Sequence, residues 1–173
     1  DSFALGNPNL KPEKSKNIEG SIRYKDDSGS MSLTMFQNKI DDFIIYTAPA
    51  EAGSRTSTQN LNKAEIQGLT ISGDQFFGHF QIKGSATGQS AKNEDTDKYL
   101  PRRASLIGNI NLNYYIGYWN IGVEKTFSGN RFDDKENIVN LSGYALTNIV
   151  SDYKINDKLK LNVRLNNVFD KDY

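Results

Sequence analysis

From Ser105 the odd positions Ser105, Asn109, Asn111 and Asn113 are polar, while the even positions Leu106, Ile110, Leu112 and Tyr114 are apolar. A period of two sends successive side chains to opposite sides of a strand, so this stretch predicts a sheet with two unlike faces. Residues 158–166 repeat the pattern, with Leu159, Leu161, Val163 and Leu165 opposed to Lys158, Lys160, Asn162, Arg164 and Asn166. Two further runs set Ile18, Gly20, Ile22 and Tyr24 against Asn17, Glu19, Ser21 and Arg23, and Phe80, Ile82, Gly84 and Ala86 against Gln81, Lys83, Ser85 and Thr87. Shorter alternations fall at Met31, Leu33 and Met35, at Leu69 and Ile71, at Trp119, Ile121 and Val123, and at Ile149 and Tyr153. About eight strands are predicted, and no helix.

The connections between these strands alternate in length. Short ones lie near 26–30, 74–79, 116–118 and 155–158, whereas those near 41–62, 90–103 and 128–140 are long and rich in Asp, Asn, Ser and Thr. All the long loops then emerge at one end of an all-β antiparallel meander. That is the plan of a partial transmembrane β-barrel with short periplasmic turns and long external loops. A soluble sandwich has no reason to keep its long loops together.

The aromatic residues gather at the short-turn end. Tyr24 precedes the first short turn, Phe76, Phe77 and Phe80 flank the second, Tyr114, Tyr115, Tyr118 and Trp119 flank the third, and Tyr153 precedes the fourth. Rings with an apolar body and a polar tip are stable at headgroup level, which gives a girdle on the periplasmic side. The opposite face carries Glu19, Arg23, Lys83, Lys158, Lys160 and Arg164 among many Asn and Ser. There are 19 Asn in the chain, many of them inside strand runs where Asn is ordinarily depleted. A hydrogen-bonding, water-filled lumen accommodates them.

Composition narrows the functional classes. The chain has 173 residues, enough for one domain or part of one. With 21 basic and 21 acidic residues it lacks the surplus of positive charge that nucleic-acid binding requires, so no nucleic-acid partner is expected. No stretch offers the run of about 20 apolar residues that a spanning helix needs, and 106–123 is interrupted by four Asn. There is no cysteine, and His79 is the only histidine. A nucleophile–histidine arrangement is not visible, and no enzyme, cofactor or metal site is expected; His79, between Gly78 and Phe80, suits a turn or interfacial role. The pairs Asp26-Asp27, Asp41-Asp42 and Asp133-Asp134 have the oxygen ligands a hard cation takes, although turn chemistry explains them more simply, above all at Asp27-Ser28-Gly29. The chain starts on Asp with no basic n-region and apolar core ahead of it, so a beginning in mid-protein is expected.

Four segments resemble a known family. Gly6-Asn7-Pro8-Asn9-Leu10-Lys11-Pro12-Glu13-Lys14-Ser15 is similar to the box partway along the barrel of TonB-dependent outer-membrane receptors, which leads into a strand beginning with an acidic residue such as Glu19. Asn62-Lys63-Ala64-Glu65-Ile66-Gln67-Gly68 resembles a stretch that descends from one of that family's external loops. Leu100-Pro101-Arg102-Arg103-Ala104 resembles the entry to a later strand, and the nine residues ending in Phe169-Asp170-Lys171-Asp172-Tyr173 resemble the segment before the final strand. Together with Ser128-Gly129-Asn130-Arg131-Phe132-Asp133-Asp134, the last two look most like the vitamin B12 (cobalamin) receptor branch.

The resemblance implies a receptor in the outer membrane of a Gram-negative bacterium that imports a scarce nutrient. Cobalamin is the first expectation, and a ferric siderophore or haem the alternative. Its partners would be that ligand, the membrane lipid, and the TonB complex acting through a plug domain. Plug, early strands and final strand are expected outside residues 1–173, which would form a C-terminal segment of the barrel. A small structural or adhesive outer-membrane barrel is the rival reading, and about eight strands leave open an open sheet, a closed small barrel or an assembly of several chains. In the receptor reading, ligand contacts come from the external loops: Tyr46, Arg55, Asn60, Tyr99, Arg102, Arg131 and Asp133. The alternative for Arg102, Arg131 and Asp133 is that they pair with one another on the barrel wall.

Overall fold

The computed structural model describes residues 4–5, 7–47 and 56–172. Eight long strands form, at the predicted places: β2 (Lys14–Lys25), β3 (Gly29–Thr47), β4 (Thr56–Phe77), β5 (Phe80–Asn93), β6 (Leu106–Ile116), β7 (Trp119–Ser128), β10 (Tyr144–Asn156) and β11 (Leu159–Leu165). Three two-residue strands join them: β1 (Ala4–Leu5), β8 (Arg131–Phe132) and β9 (Asn140–Leu141). The sheet order is β11-β10-β7-β6-β5-β4-β3-β2, with each long strand antiparallel to its neighbours. β1 adds a parallel bridge to β4, and β8 pairs only with β9. Among the described residues β2 and β11 do not meet, so of the arrangements left open by the sequence this chain takes that of an open wall.

The short turns set the register. At the β2–β3 turn Asp26 Oδ1 accepts from Ser28 N (2.8 Å), Ser28 Oγ (2.8 Å) and Gly29 N (2.9 Å), which accounts for one acidic pair by turn chemistry. Gly78 (φ 61°) and Gly117 (φ 56°) take the first central place of two-residue hairpins, where a positive φ matches the twist of the flanking strands. In the β10–β11 hairpin Asn156 Oδ1 accepts from Lys158 N (2.9 Å), next to a bulge between Lys154 and Asn156.

With the register fixed, alternation along each strand becomes alternation across the whole sheet. Ile22, Leu33, Ile71 and Ala86 lie on one continuous row of cross-strand partners, as do Ile82, Leu112, Val123, Ile149 and Leu165. Apart from half-buried Ala86 these side chains are exposed, and Ile22 and its neighbour on the same face, Ile18, exceed 70%. The other face is a net of hydroxyl, amide and charged groups. Ser21 and Thr34, Ser32 and Ser72, and Thr70 and Thr87 pair hydroxyl to hydroxyl at 2.7–2.8 Å. Asn109 Nδ2 donates to Ser85 Oγ (3.0 Å), and Arg164 reaches Glu124 while Lys160 Nζ lies 3.6 Å from Asp152. An apolar exterior and a polar interior invert the usual arrangement of a soluble sheet and suit a barrel wall.

Two expectations are corrected by the register. The stretch 41–62 is mostly wall, because the β3–β4 ladder runs from Gly29↔Gln75 to Thr47↔Ser57. No alternation marks this extension, since Phe43, Ile44 and Ile45 are successive apolar residues, with Ile45 buried and Phe43 packed on a local core. Similarly β5 continues to Asn93, and 128–140 contains the β8–β9 hairpin. The second correction concerns the girdle. Tyr24, Phe77, Phe80, Tyr114, Trp119 and Tyr153 do share the apolar face, with ring centroids 4.5 Å apart for Phe80 and Tyr114 and 4.6 Å for Trp119 and Tyr153. Phe76 and Tyr115, by contrast, fall on the polar face, 6.2 Å apart, where Tyr115 OH donates to Gln81 Oε1 (2.9 Å). One residue's offset is enough to send a ring to the other side. His79 is a turn residue, its ring edge-on to Tyr114 at 6.3 Å.

Among the described residues a compact core exists only at the long-loop end. Ile40 and Ala64 face each other across β3 and β4, Ala91 sits opposite Ile66, and Leu100 from the β5–β6 loop closes over them at 1% exposure. Leu100 N donates to Ala91 O (2.9 Å), tying the loop to the strand beneath. Leu100→Ala is expected to cost about 2–3 kcal/mol of local stability through the cavity left behind. Hydrogen exchange should then quicken at the amides of Leu100 and Asn93 but not at those of the β6–β7 ladder; uniform quickening would contradict a local role for this core.

Candidate ligand site at the long-loop end

Two connections, 94–105 and 129–143, are fastened to each other. Asn137, held at φ 60°, accepts from Tyr99 N through Oδ1 (2.8 Å) and donates through Nδ2 to Tyr99 O (2.9 Å). The Tyr99 ring stacks on Phe132 with centroids 6.1 Å apart, and Lys92 Nζ lies 5.2 Å over the same ring. Arg102, at φ 58°, donates its backbone N–H to Phe132 O (2.6 Å) and its Nε to Asp133 Oδ1 (2.6 Å). Arg131 lies with its guanidinium carbon 5.4 Å from the centre of the Tyr144 ring, and its Nη1 is buried without a hydrogen-bond partner.

Tyr99, Arg102 and Asp133 are therefore brought together, with Phe132 and Asn137 between them, whereas Arg131, close in the chain, sits against Tyr144. Asn60 is elsewhere and is occupied by the backbone: Nδ2 donates to Asp42 O (2.6 Å) and Lys11 O (3.0 Å), and Oδ1 accepts from Lys11 N (2.9 Å). Such a clamp holds the incoming chain against β4. Arg55 and the side chain of Tyr46 lie outside the described residues. Arg102 and Asp133 do pair with each other, while Arg131 takes the aromatic face instead of joining them. The pair is exposed, and an exposed pair contributes only about 0–1 kcal/mol, so neither group is committed to holding the fold.

Sequence reasoning missed Asn137, Phe132 and Lys92, while Asp134 does the turn work expected of the Asp133-Asp134 pair. Asn137 sits in a loop rich in Asp, Asn and Lys, where nothing local separates a clamp from a solvated side chain. Asp134 holds the loop from within by accepting from Ile138 N (3.1 Å) and Val139 N (2.6 Å), and the Val139 and Ile138 amides keep its carboxyl below the usual carboxylate range. Among the described residues no three His, Cys, Asp or Glu side chains group as metal ligands. A depression on the polar face of the wall is lined by Ser30, Ser32, Ser72, Asp74, Lys83 and Ser85. Ser30 Oγ already donates to Asp74 Oδ1 there (2.9 Å).

The comparisons with known proteins fit this architecture. The family profile described as "TonB dependent receptor-like, beta-barrel" matches residues 1–168. The chain belongs to the TonB-dependent receptor β-barrel family. It is 34% identical over 171 residues to a vitamin B12 transporter, BtuB, of Photobacterium profundum, covering 97% of this chain and 28% of that protein. In structure it is similar to the copper transporter OprC (TM-score 0.80, 24% identity, 96% of this chain and 27% of that one). It is also similar to the siderophore receptor PirA of Acinetobacter baumannii (TM-score 0.72, 24% identity, 97% and 29%). The chain thus spans under a third of the length of each of these proteins. The latter two likenesses establish the fold, an open stretch of receptor barrel wall.

The Asp134 carboxylate generates a pH prediction. Because its folded-state value is depressed, the contribution to loop order is present above the ordinary carboxylate value of about 3.9 and disappears as pH falls through the lower folded value. The Val139 amide resonance should hold steady from neutral pH to about pH 4 and shift only below it. Asp134→Asn should abolish that shift; a midpoint near pH 6, or a shift that persists in the variant, would contradict the assignment.

Proposed function

We propose that this chain is a C-terminal part of the barrel of an outer-membrane receptor in a Gram-negative bacterium, and that the receptor imports cobalamin with energy supplied through TonB. The observation that carries the ligand is the 34% identity, over nearly the whole chain, to a protein named as a vitamin B12 transporter. A second BtuB, of Vibrio vulnificus, is 30% identical over 168 residues and supports the same reading. The neighbours named for copper and a siderophore stand at 24%. Plug, early strands and final strand belong, on this reading, to the rest of the receptor. The part played by this segment is binding and passage, without catalysis.

The geometry suits that role. Tyr99 and Phe132 offer stacked aromatic surface, Arg102, Arg131 and Asp133 offer directed hydrogen-bonding groups, and the clasp between the two loops holds them in place before any ligand arrives. A site ordered in advance loses less conformational entropy on binding. Tyr46 near the end of β3, Arg55 of the β3–β4 connection and Asn60 on β4 complete the proposed set, with Asn60 acting as a support.

Equilibrium binding of cyanocobalamin to the full-length receptor tests this. Alanine at Tyr99, Arg102, Arg131 or Asp133 should lower affinity by about tenfold or more in at least one case, equal to roughly 1.4 kcal/mol. The amount of folded barrel should stay constant throughout. No binding of cyanocobalamin by the unsubstituted receptor, with binding of a ferric siderophore, would replace the ligand and keep the family. Sidedness has its own measurement: in intact cells an impermeant maleimide should label cysteine placed at Glu94 and spare cysteine placed at Asp157. Equal labelling would reject the external assignment of the long loops.

A further inference from the structure

The short strand β8 divides its neighbours between the two sides of the wall, because adjacent residues of a strand point to opposite sides. Phe132 stacks on Tyr99, whose bridge partner Lys92 shares the even positions of β5 with Phe80 and Ile82 on the apolar side. Arg131 turns the other way, onto the Tyr144 ring. Tyr144 stands opposite Ser128 and alternates in step with Asn148 and Asp152 along β10, so its side chain belongs to the polar face. In a barrel that face lines the lumen.

Around Tyr144 the polar face changes character. One row of cross-strand partners runs on β2–β5 through Ser21, Thr34, Thr70 and Thr87, which bond hydroxyl to hydroxyl in pairs. Beyond β5 the same row continues as Ile107, Ser128 and Tyr144. In the next row Ser72 and Ser85 lead, past Asn109 and Thr126, to Leu146. Ile107 is 41% exposed, and Tyr144 and Leu146 are half-buried, so an apolar patch meets the lumen where its neighbours on the rows are hydroxyls and amides.

A cation without a counter-ion stands at the loop end of this patch. Arg131 faces Leu141 across the β8–β9 hairpin, Asp133 is engaged by Arg102, and Asp134 is engaged by the amides of its own loop. Among the described residues Arg131 therefore has no ion-pair partner, and its Nη1 has no acceptor. An aromatic face holds a cation in place without neutralising it.

We propose that Arg131, Tyr144, Leu146 and Ile107 form the contact of this segment with its solute inside the lumen, and that the site takes a solute joining a broad apolar ring face to an anionic oxygen group. The ring face lies on Tyr144, Leu146 and Ile107, and the anionic group meets Arg131. Cobalamin, a corrin ring bearing a phosphodiester, is of this class. The inference rests on the ligand reading given above and deepens it, adding three residues and giving Arg131 a stated partner. Two arguments favour the solute over the plug as occupant: the patch is continuous through Arg131 with the loop end where a solute enters, and its charge complements a phosphodiester.

The test is equilibrium binding of cyanocobalamin to the full-length receptor, with hydrogen exchange in the plug of the ligand-free receptor measured alongside. Tyr144→Ser should weaken binding by about tenfold or more and Tyr144→Phe by about twofold at most, because the ring makes the contact. Arg131→Gln should weaken it by about fivefold and Arg131→Lys, which keeps the charge, by about twofold at most. The Arg131 pair covers the case of a Tyr144→Ser barrel that fails to fold. Ala145→Ser, on the opposite face of the same strand, should bind as the unsubstituted receptor does. Unchanged affinity in the folded Tyr144→Ser and Arg131→Gln receptors, or equal losses in Tyr144→Phe and Tyr144→Ser, would overturn the proposal. Faster exchange in the plug of the ligand-free Tyr144→Ser receptor would overturn it as well, by giving the patch to the plug. Absence of cyanocobalamin binding by the unsubstituted receptor would overturn the ligand reading itself, so the two failures are distinguishable.

Discussion

The antiparallel backbone ladder is the constraint on which everything else depends. A wall whose one face is apolar and exposed has no water on that side to satisfy stray amides and carbonyls, so each strand must pair along its length with the next. From β2 to β11 the pairing is continuous, interrupted at Asp42 and at the bulge near Asn156. Because the register is rigid, a single alternation rule sorts nearly every strand residue into one of two environments. It is the reason that Ile22 and Leu33 face outward together while Ser21 and Thr34 bond on the other side.

The ladder also decides where structure of another kind can begin. β3 and β4 run well past the apolar band, and among the described residues only there does a buried cluster form, with Leu100 pressed against Ile40, Ala64 and Ala91. That cluster fixes the loop 94–105, and Asn137 and Phe132 then fix the loop 129–143 upon it. Each contact is modest by itself. Together they hold aromatic and charged side chains in one arrangement at the end of the wall, on a scaffold whose rigidity comes from β strands. Long polar loops are ordinarily mobile because few buried contacts hold them, and here two of them have such contacts.

The polar face has a different logic. Its Ser, Thr and Asn side chains bond mainly to one another across neighbouring strands, which satisfies them with or without a lumen filled by protein. Asp152 gathers Asn120, Asn162 and Lys160, and Glu124 takes Arg164, so the charged groups near the β11 edge are compensated within the wall.

By itself the sequence determined the class of fold, the eight long strands, the faces of the alternating runs and the end at which the long loops emerge, because a period of two and a two-residue turn are local properties of the chain. Local pattern also carried the family resemblance. What only the tertiary structure decided are the properties that depend on a partner far along the chain. The reach of β3 and β4 beyond the band comes from their pairing with each other. Phe76 and Tyr115 lie on the polar face because hairpin register assigns them there. Asn60 is a clamp on Lys11 and Asn137 a clamp on Tyr99, 49 and 38 residues away. An Asn in a polar loop carries no sign of such a role, since its hydrogen-bonding capacity is the same whether a backbone or water meets it, and only the fold brings the backbone within reach.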